Sequence, residues 1–322
     1  MSGAARPRLS VVVPTYGRPD GVERAVHAWV AQRLDAPFEV VVVDDGSPDD
    51  TYERLERLAA HDGRIVPVRQ PNRGAASARN AGLARARGDW ILFADDDVAP
   101  VDETTVARWW TRVRDAGGAW VPRMRVPSEA AVTLTQRAWR ERLESGPRRW
   151  RDGHTFGAGG FWFAALLVER AHLGTERFDE GLAAYGWEDM ELGYRLRRRG
   201  VRSRLARGIE VWHADPVTLD ALERKYESLG RQGWAFVARQ PRLPVRIWTG
   251  TWGPIRVGKA LLGVERRGAA ARARIAHRAE SVEEPLTTAF ERDLHAVLEG
   301  AYARGARHGA GERHTTDTEF ET

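Results

Sequence analysis

The 322-residue chain contains no cysteine. That excludes disulfides, zinc–thiolate sites and a cysteine nucleophile. Lysine is nearly missing as well: only Lys225 and Lys259 occur, so almost all positive charge is arginine. The balance is moderately basic, with a formal net charge of +5 and a pI of about 9.9. An arginine excess of this size suits phosphate-bearing or acidic ligands. It does not argue for nucleic acid, because no basic block interleaved with aromatics stands out before the C-terminal third. No apolar run reaches the ~18 residues of a membrane span. The opening MSGAARPRLS lacks the apolar core of a signal peptide. A cytoplasmic protein is the expectation. Internal repeats are absent too. What is present is an ordinary globular profile, 42% hydrophobic and 30% charged. The length suits one large α/β domain with an extension, or two domains.

One stretch organises the rest. In Gly88–Pro100, the apolar run Trp90-Ile-Leu-Phe-Ala94 reads as a strand buried on both faces, and it ends in Asp95, Asp96 and Asp97. Like charges this close repel, and burying them is costly unless a cation arrives. Hard divalent ions such as Mg²⁺ and Mn²⁺ take oxygen ligands, often one or two carboxylates plus substrate phosphates. The alternative is a solvated acidic turn. Upstream, Leu9–Val13 is a strand closed by Pro14, and Phe38–Val43 is a strand, apolar except for Glu39, that ends in Asp44-Asp45-Gly46-Ser47. Arg64–Arg69 is a third strand, and Pro67 places it nearer an edge. Helical patterns at Val22–Ala31, Thr51–Ala60 and Ala75–Ala86 alternate with these strands. Such alternation predicts a parallel sheet covered on both faces. Ligands bind beyond the carboxyl ends of its strands, so Thr15–Arg18, Asp44–Ser47, Asn72–Gly74 and Asp95–Asp97 should share one crevice.

Further on, Gly157-Ala-Gly-Gly160 leads into a predicted strand over Phe161–Val168 and is no dinucleotide fingerprint. Phe161 and Trp162 could stack on a sugar face or belong to the core. Trp187-Glu188-Asp189 opens a helix to about Arg199, and short strands are expected at Val201–Leu205 and Glu210–Trp212, followed by His213.

Pro14-Thr15-Tyr16, Asp44-Asp45-Gly46-Ser47, Asn72-Arg73-Gly74 with Ala78-Arg79-Asn80, Asp95-Asp96-Asp97 and Trp187-Glu188-Asp189 follow one another at strand ends and helix starts. In that order they resemble the family 2 glycosyltransferases of GT-A fold, over roughly Leu9 to His213. The resemblance implies an α/β fold with a Rossmann-like, mostly parallel sheet, and a metal-dependent, inverting transfer from a nucleotide-diphosphate sugar, first of all a UDP-sugar. It implies that Pro14, Thr15, Tyr16, Arg18, Asp45 and Asn72 hold base and ribose, with Arg79 near them or the phosphates, or else on a solvated helix face. Asp97 would bind Mn²⁺ or Mg²⁺, and Asp95 or Asp96 the ribose or a metal-bound water. Asp189 would be the general base and Glu188 would orient a sugar or the acceptor. For these two the other reading is acidic residues favouring a helix N-terminus. His213 would complete the metal shell or be structural.

The expected organisation is a catalytic domain over 1–215, a helical extension over 216–303 and a disordered tail over 304–322. The extension's Trp and Arg helices leave three roles open: shaping the acceptor site, a homodimer contact, or rest on an acidic membrane surface. Without a membrane span, a small-molecule, lipid-carrier or peptide acceptor fits better than a processive polymer. Two other readings are a nucleotidyltransferase and a sugar-nucleotide-binding scaffold without turnover. The first usually carries a Gly-rich phosphate loop and a Lys after strand one, and Pro14-Thr-Tyr-Gly-Arg18 has neither.

Overall fold

The computed structural model describes residues 6–128, 132–182, 186–214 and 217–319. The chain divides into two compact units. The first comprises Met1–Pro127, Leu143–Ala183 and Glu188–Asp215, and the second Ser128–Arg142, Ala184–Trp187 and Pro216–Thr322. The expected boundary at 215–216 falls on residues outside those described.

In the first unit the elements run β1 (Leu9–Thr15), α1 (Pro19–Val30), β2 (Phe38–Asp44), α2 (Thr51–His61), β3 (Ile65–Arg69), α3 (Ala75–Arg85), β4 (Trp90–Ala94), β5 (Val98–Pro100), α4 (Thr105–Val113) and β6 (Ala119–Arg125). After α5 (Leu134–Arg148), whose residues up to Arg142 belong to the second unit, come β7 (Ala165–Glu169), α6 (Arg170–Leu173), α7 (Glu188–Arg198) and β8 (Ser203–His213). The strands form one sheet in the order β3, β2, β1, β4, β7, β6, β8, β5. β3, the strand with Pro67, lies at the sheet's end.

β1 to β4 pair in parallel, with Val11 opposite Val40 on one side and Leu92 on the other. Valine-rich runs suit this position because both faces are covered. Val11 and Val13 pack with Trp29, Leu55 and Trp109. Val12, one residue out of phase, packs with Ala78, Leu83 and Phe93 on the other side. The exception, Glu39, is buried but satisfied: it accepts from Ser10 Oγ at 2.7 Å and from the Arg87 backbone N–H at 2.7 Å.

The far half of the sheet is mixed rather than parallel. β7 inserts antiparallel between β4 and β6, and β5 pairs antiparallel with β8. A five-residue apolar run carries no mark of its direction, so periodicity alone could not show this. The predicted strand from Phe161 begins only at Ala165. The two short strands expected at Val201–Leu205 and Glu210–Trp212 are one strand, β8, whose pairing with β6 shifts register between Val121 and Arg123.

The second unit is helical: α8 (Leu219–Arg239), α9 (Leu243–Trp248), α10 (Gly253–Leu261), α11 (Val264–Ile275) and α12 (Thr288–Glu319). Its core gathers Leu134, Leu222, Ile275, Phe290, Leu294 and Leu298. The expectation of a disordered tail over 304–322 is corrected as far as Glu319, since α12 continues to that residue with Ala306 and Ala310 buried, and residues 320–322 lie outside those described. Close approach explains it. A Cβ on Gly230 would strike the Tyr302 carbonyl, and one on Gly305 the Glu227 carbonyl. Small residues that read as unstructured are what let α8 and α12 touch. Among the described residues no helix is long and apolar enough to cross a membrane.

Candidate active site

The site lies in the first unit, beyond the carboxyl ends of β1, β2 and β4. At the end of β2, Asp44 is fully buried and accepts from the Ser47 backbone N–H at 3.0 Å. The Ser47 hydroxyl donates to Asp44 and accepts from Gly17 N–H at 2.8 Å, tying the loop after β1 to the loop after β2. Asp45 reaches the other way. It accepts from Gln70 Nε2 at 2.7 Å, Arg73 N–H at 3.0 Å and Gly74 N–H at 2.7 Å. The Asn72–Gly74 loop is therefore hung on the Asp45 carboxylate. Gly46 makes the turn possible: its φ is +77°, and a Cβ there would sit 2.7 Å from the Asn72 nitrogen. Tyr16, on the same rim, is 50% exposed, and Asn72 is exposed.

The acidic triplet splits three ways. Asp96 is buried and accepts from Thr15 Oγ1 at 2.7 Å, with Arg18 Nη1 at 3.1 Å from its other oxygen. Burial pushes its carboxyl up to about 7; Arg18 and Thr15 oppose the rise, while Asp97 and Asp95 add to it. Asp97 has Arg18 at 3.8 Å and His213 Nε2 at 3.7 Å. The antiparallel β5–β8 pairing sets that contact by placing Val98 opposite His213. Asp95 pairs with Arg79 Nη2 at 2.8 Å.

Arg79 is the centre of the arrangement. It is only 4% exposed, and its other terminal nitrogen lies 3.2 Å from Glu188 and 3.2 Å from Asp189. Burial alone would lower its pKa, but Asp189, Asp95 and Glu188 outweigh that and raise it. Its guanidinium also lies over the Phe178 ring at 5.5 Å. Asn80, next in sequence, fixes that ring's backbone by bonding both Phe178 N–H and C=O at 2.9 and 3.0 Å. Asp189 accepts in addition from Phe163 N–H at 3.1 Å. Burial raises the Asp189 pKa; Arg79 opposes the rise, and Glu188 and Asp95 reinforce it.

The structure thus brings Thr15, Arg18, Asp96, Asp97 and His213 into one set of contacts and Arg79, Asp95, Glu188 and Asp189 into a second, the two joined along the chain where Asp95 precedes Asp96. The solvated-face reading of Arg79 does not hold. The signal against it was in the sequence: Ala76, Arg79, Gly82 and Leu83 share one helical face, and all are buried. Phe161 is fully buried in the core, whereas Trp162 is partly exposed. The Phe163 N–H and the Gln70 side chain are contacts the sequence did not show.

No set of three or more His, Cys, Asp or Glu side chains forms a ready metal cage among the described residues. Asp97 and His213 still offer one oxygen and one nitrogen donor, and among the described residues His213 Nδ1 is buried without a hydrogen-bond partner. Two protein donors fit Mn²⁺ or Mg²⁺ if diphosphate oxygens and water supply the rest.

The model of the family described as Glycosyl transferase family 2 matches residues 10–166. A validoxylamine A glucosyltransferase from Streptomyces hygroscopicus subsp. limoneus is 30% identical over 76% of this chain and 60% of its own. The uncharacterized glycosyltransferase YfnE of Bacillus subtilis (strain 168) is 25% identical over 65% of each. The chain spans less than two thirds of the length of these curated relatives. Among solved structures, the mannosyltransferase PcManGT from Pyrobaculum calidifontis, in complex with GDP-Man and Mn²⁺, is 17% identical with a TM-score of 0.60. The likeness covers 95% of this chain and 88% of that one. It shows the fold, which is GT-A.

Proposed function

We propose, since residues 10–166 match the model of glycosyl transferase family 2, that the chain transfers a sugar, with inversion, from a nucleotide-diphosphate sugar to a hydroxyl-bearing acceptor. A UDP-sugar is the first donor to try. The observation that carries the reading is Arg79, one guanidinium on both Asp95 at the end of β4 and Asp189 at the start of α7. On this reading it ties the end that would bind the diphosphate to the carboxylate that would act as base.

Thr15, Tyr16, Arg18 and the loop hung on Asp45 would hold base and ribose, since carboxylates and backbone groups there match ribose hydroxyls and the base imide. Asp97 and His213 would hold Mn²⁺ or Mg²⁺, and PcManGT, solved with GDP-Man and Mn²⁺, supports that choice. The ion, when bound, supplies Lewis-acid stabilisation of the departing diphosphate. Asp189 takes the proton from the acceptor hydroxyl as its oxygen bonds the anomeric carbon. The carbon–oxygen bond to the diphosphate breaks, and its electron pair leaves with the diphosphate. Phe163 N–H and Arg79 orient the Asp189 carboxylate, and Glu188 beside it positions a sugar. The test is release of nucleoside diphosphate from UDP- and GDP-sugars with Mn²⁺, with and without acceptors. Release that depends on Asp97 and Asp189 supports the reading. Nucleotide binding with no turnover under any acceptor overturns it in favour of a scaffold.

A further inference from the structure

The second unit presents a surface that nothing in the transfer chemistry uses. Helix α10 buries none of its nine residues, yet it carries Ile255, Val257 and Leu261. Val257 is 58% exposed, Leu261 81% and the adjoining Leu262 58%. On α9 and just after it, Leu243, Ile247, Trp248 and Trp252 are exposed as well. A helix this short is marginal in water unless an apolar face is covered. Runs of exposed large apolar side chains mark contact sites.

Charge says what covers this one. From Ser228 to Val264 there is no Asp or Glu, while Arg242, Arg246, Arg256 and Lys259 lie among the apolar positions. Elsewhere in the unit arginines are matched: Arg272 pairs with Glu223, Arg274 with Asp293 and Arg304 with Glu223. Arg242, Arg246, Arg256, Arg266 and Arg267 have no acidic partner among the described residues. Beside them a cavity of about 550 Å³ opens between α10, α11 and α12, with Arg256, Lys259, Arg266 and Arg307 in its lining. Lys259 and Arg307 are partly engaged, by Glu299 and Glu265, while Arg256, stacked over the Trp234 ring at 5.1 Å, and Arg266 keep no carboxylate of their own among the described residues and can take an outside anion.

We infer that α9, α10 and the start of α11 dock the protein on an anionic membrane surface. The exposed Ile, Val, Leu and Trp side chains enter the headgroup boundary, and the cavity's arginines take lipid phosphates. A second copy of the same face is disfavoured, since its one carboxylate, Glu265, is already paired with Arg307 and a two-fold contact sets the cationic patches against each other.

The experiment is co-sedimentation of the full chain with vesicles of phosphatidylglycerol in phosphatidylcholine, against phosphatidylcholine alone. Binding to the first only, released by salt, is expected. Leu261→Asp should cut the bound fraction at least about tenfold, the scale of losing one large apolar anchor. Arg256→Glu with Arg266→Glu should do the same. Because Leu261 and Arg256 are exposed, helical content and melting temperature should stay put. Equal binding to both vesicles, or to neither, overturns the inference. So does a concentration-dependent dimer that Leu261→Asp abolishes, which would assign the face to a second copy. None of these readouts depends on sugar transfer, so the docking and the proposed reaction stand or fall separately.

Discussion

Asp97 and Asp189 are the two residues on which the proposed reaction turns, and they should fail differently. Asp97→Ala removes one of two protein donors and leaves the sheet intact, so nucleotide-sugar turnover should disappear while the melting temperature stays within a few degrees. Mn²⁺-dependent nucleotide binding measured calorimetrically should fall with it. Asp189→Asn keeps the bond from Phe163 N–H but cannot take a proton, so donor binding should persist while kcat falls about 10²–10⁴-fold. The pH dependence follows from the raised Asp189 pKa. A base must be ionised to act, and a raised pKa keeps it protonated to higher pH. The acid limb of kcat/KM should therefore lie above the ordinary carboxylate range near 4. Arg79 opposes that rise, so Arg79→Met should carry the limb further up. A limb unmoved in Arg79→Met would detach Asp189 from the observed profile.

At the scale of elements, α8 and α12 depend on glycine where they cross. Gly230→Val should lower the unfolding free energy by roughly 1–3 kcal/mol, the usual cost of overpacking, checked by denaturant titration. That crossing also explains which parts of the fold were legible in the sequence. β1, β2 and β4 were readable because each is an apolar run that meets polar residues at its carboxyl end, though β1 runs on through Pro14, where the sequence placed its close, to Thr15. The start of α7 at Glu188 was readable from its acidic first turn. The direction of β7 was not, because strand polarity is set by the chain's route and not by Ala165–Glu169 itself. Nor was the end of α12, where Gly305 and Gly309 weaken the local helix signal yet meet α8. Within the site, the carboxylates announced themselves by clustering. Their partners, Phe163 N–H and Gln70, come from distant segments and leave no local trace.

For the molecule as a whole, a ligand that binds only the folded chain adds stability by mass action. A nucleoside diphosphate with Mn²⁺, each well above its dissociation constant, should raise the melting temperature. At a hundredfold excess over Kd the gain is about 2.7 kcal/mol. EDTA should reverse it, and Asp97→Ala should not show it. The reach of Arg79 has a consequence at this same scale. Asp95 and Asp189 stand at opposite ends of a long stretch of chain, yet they lean on one guanidinium. Cutting either tether frees the arginine and so slackens the other. A double variant of the pair should therefore lose less than its two single variants added together, and the shortfall would measure how tightly that rivet holds two distant segments as a single working part.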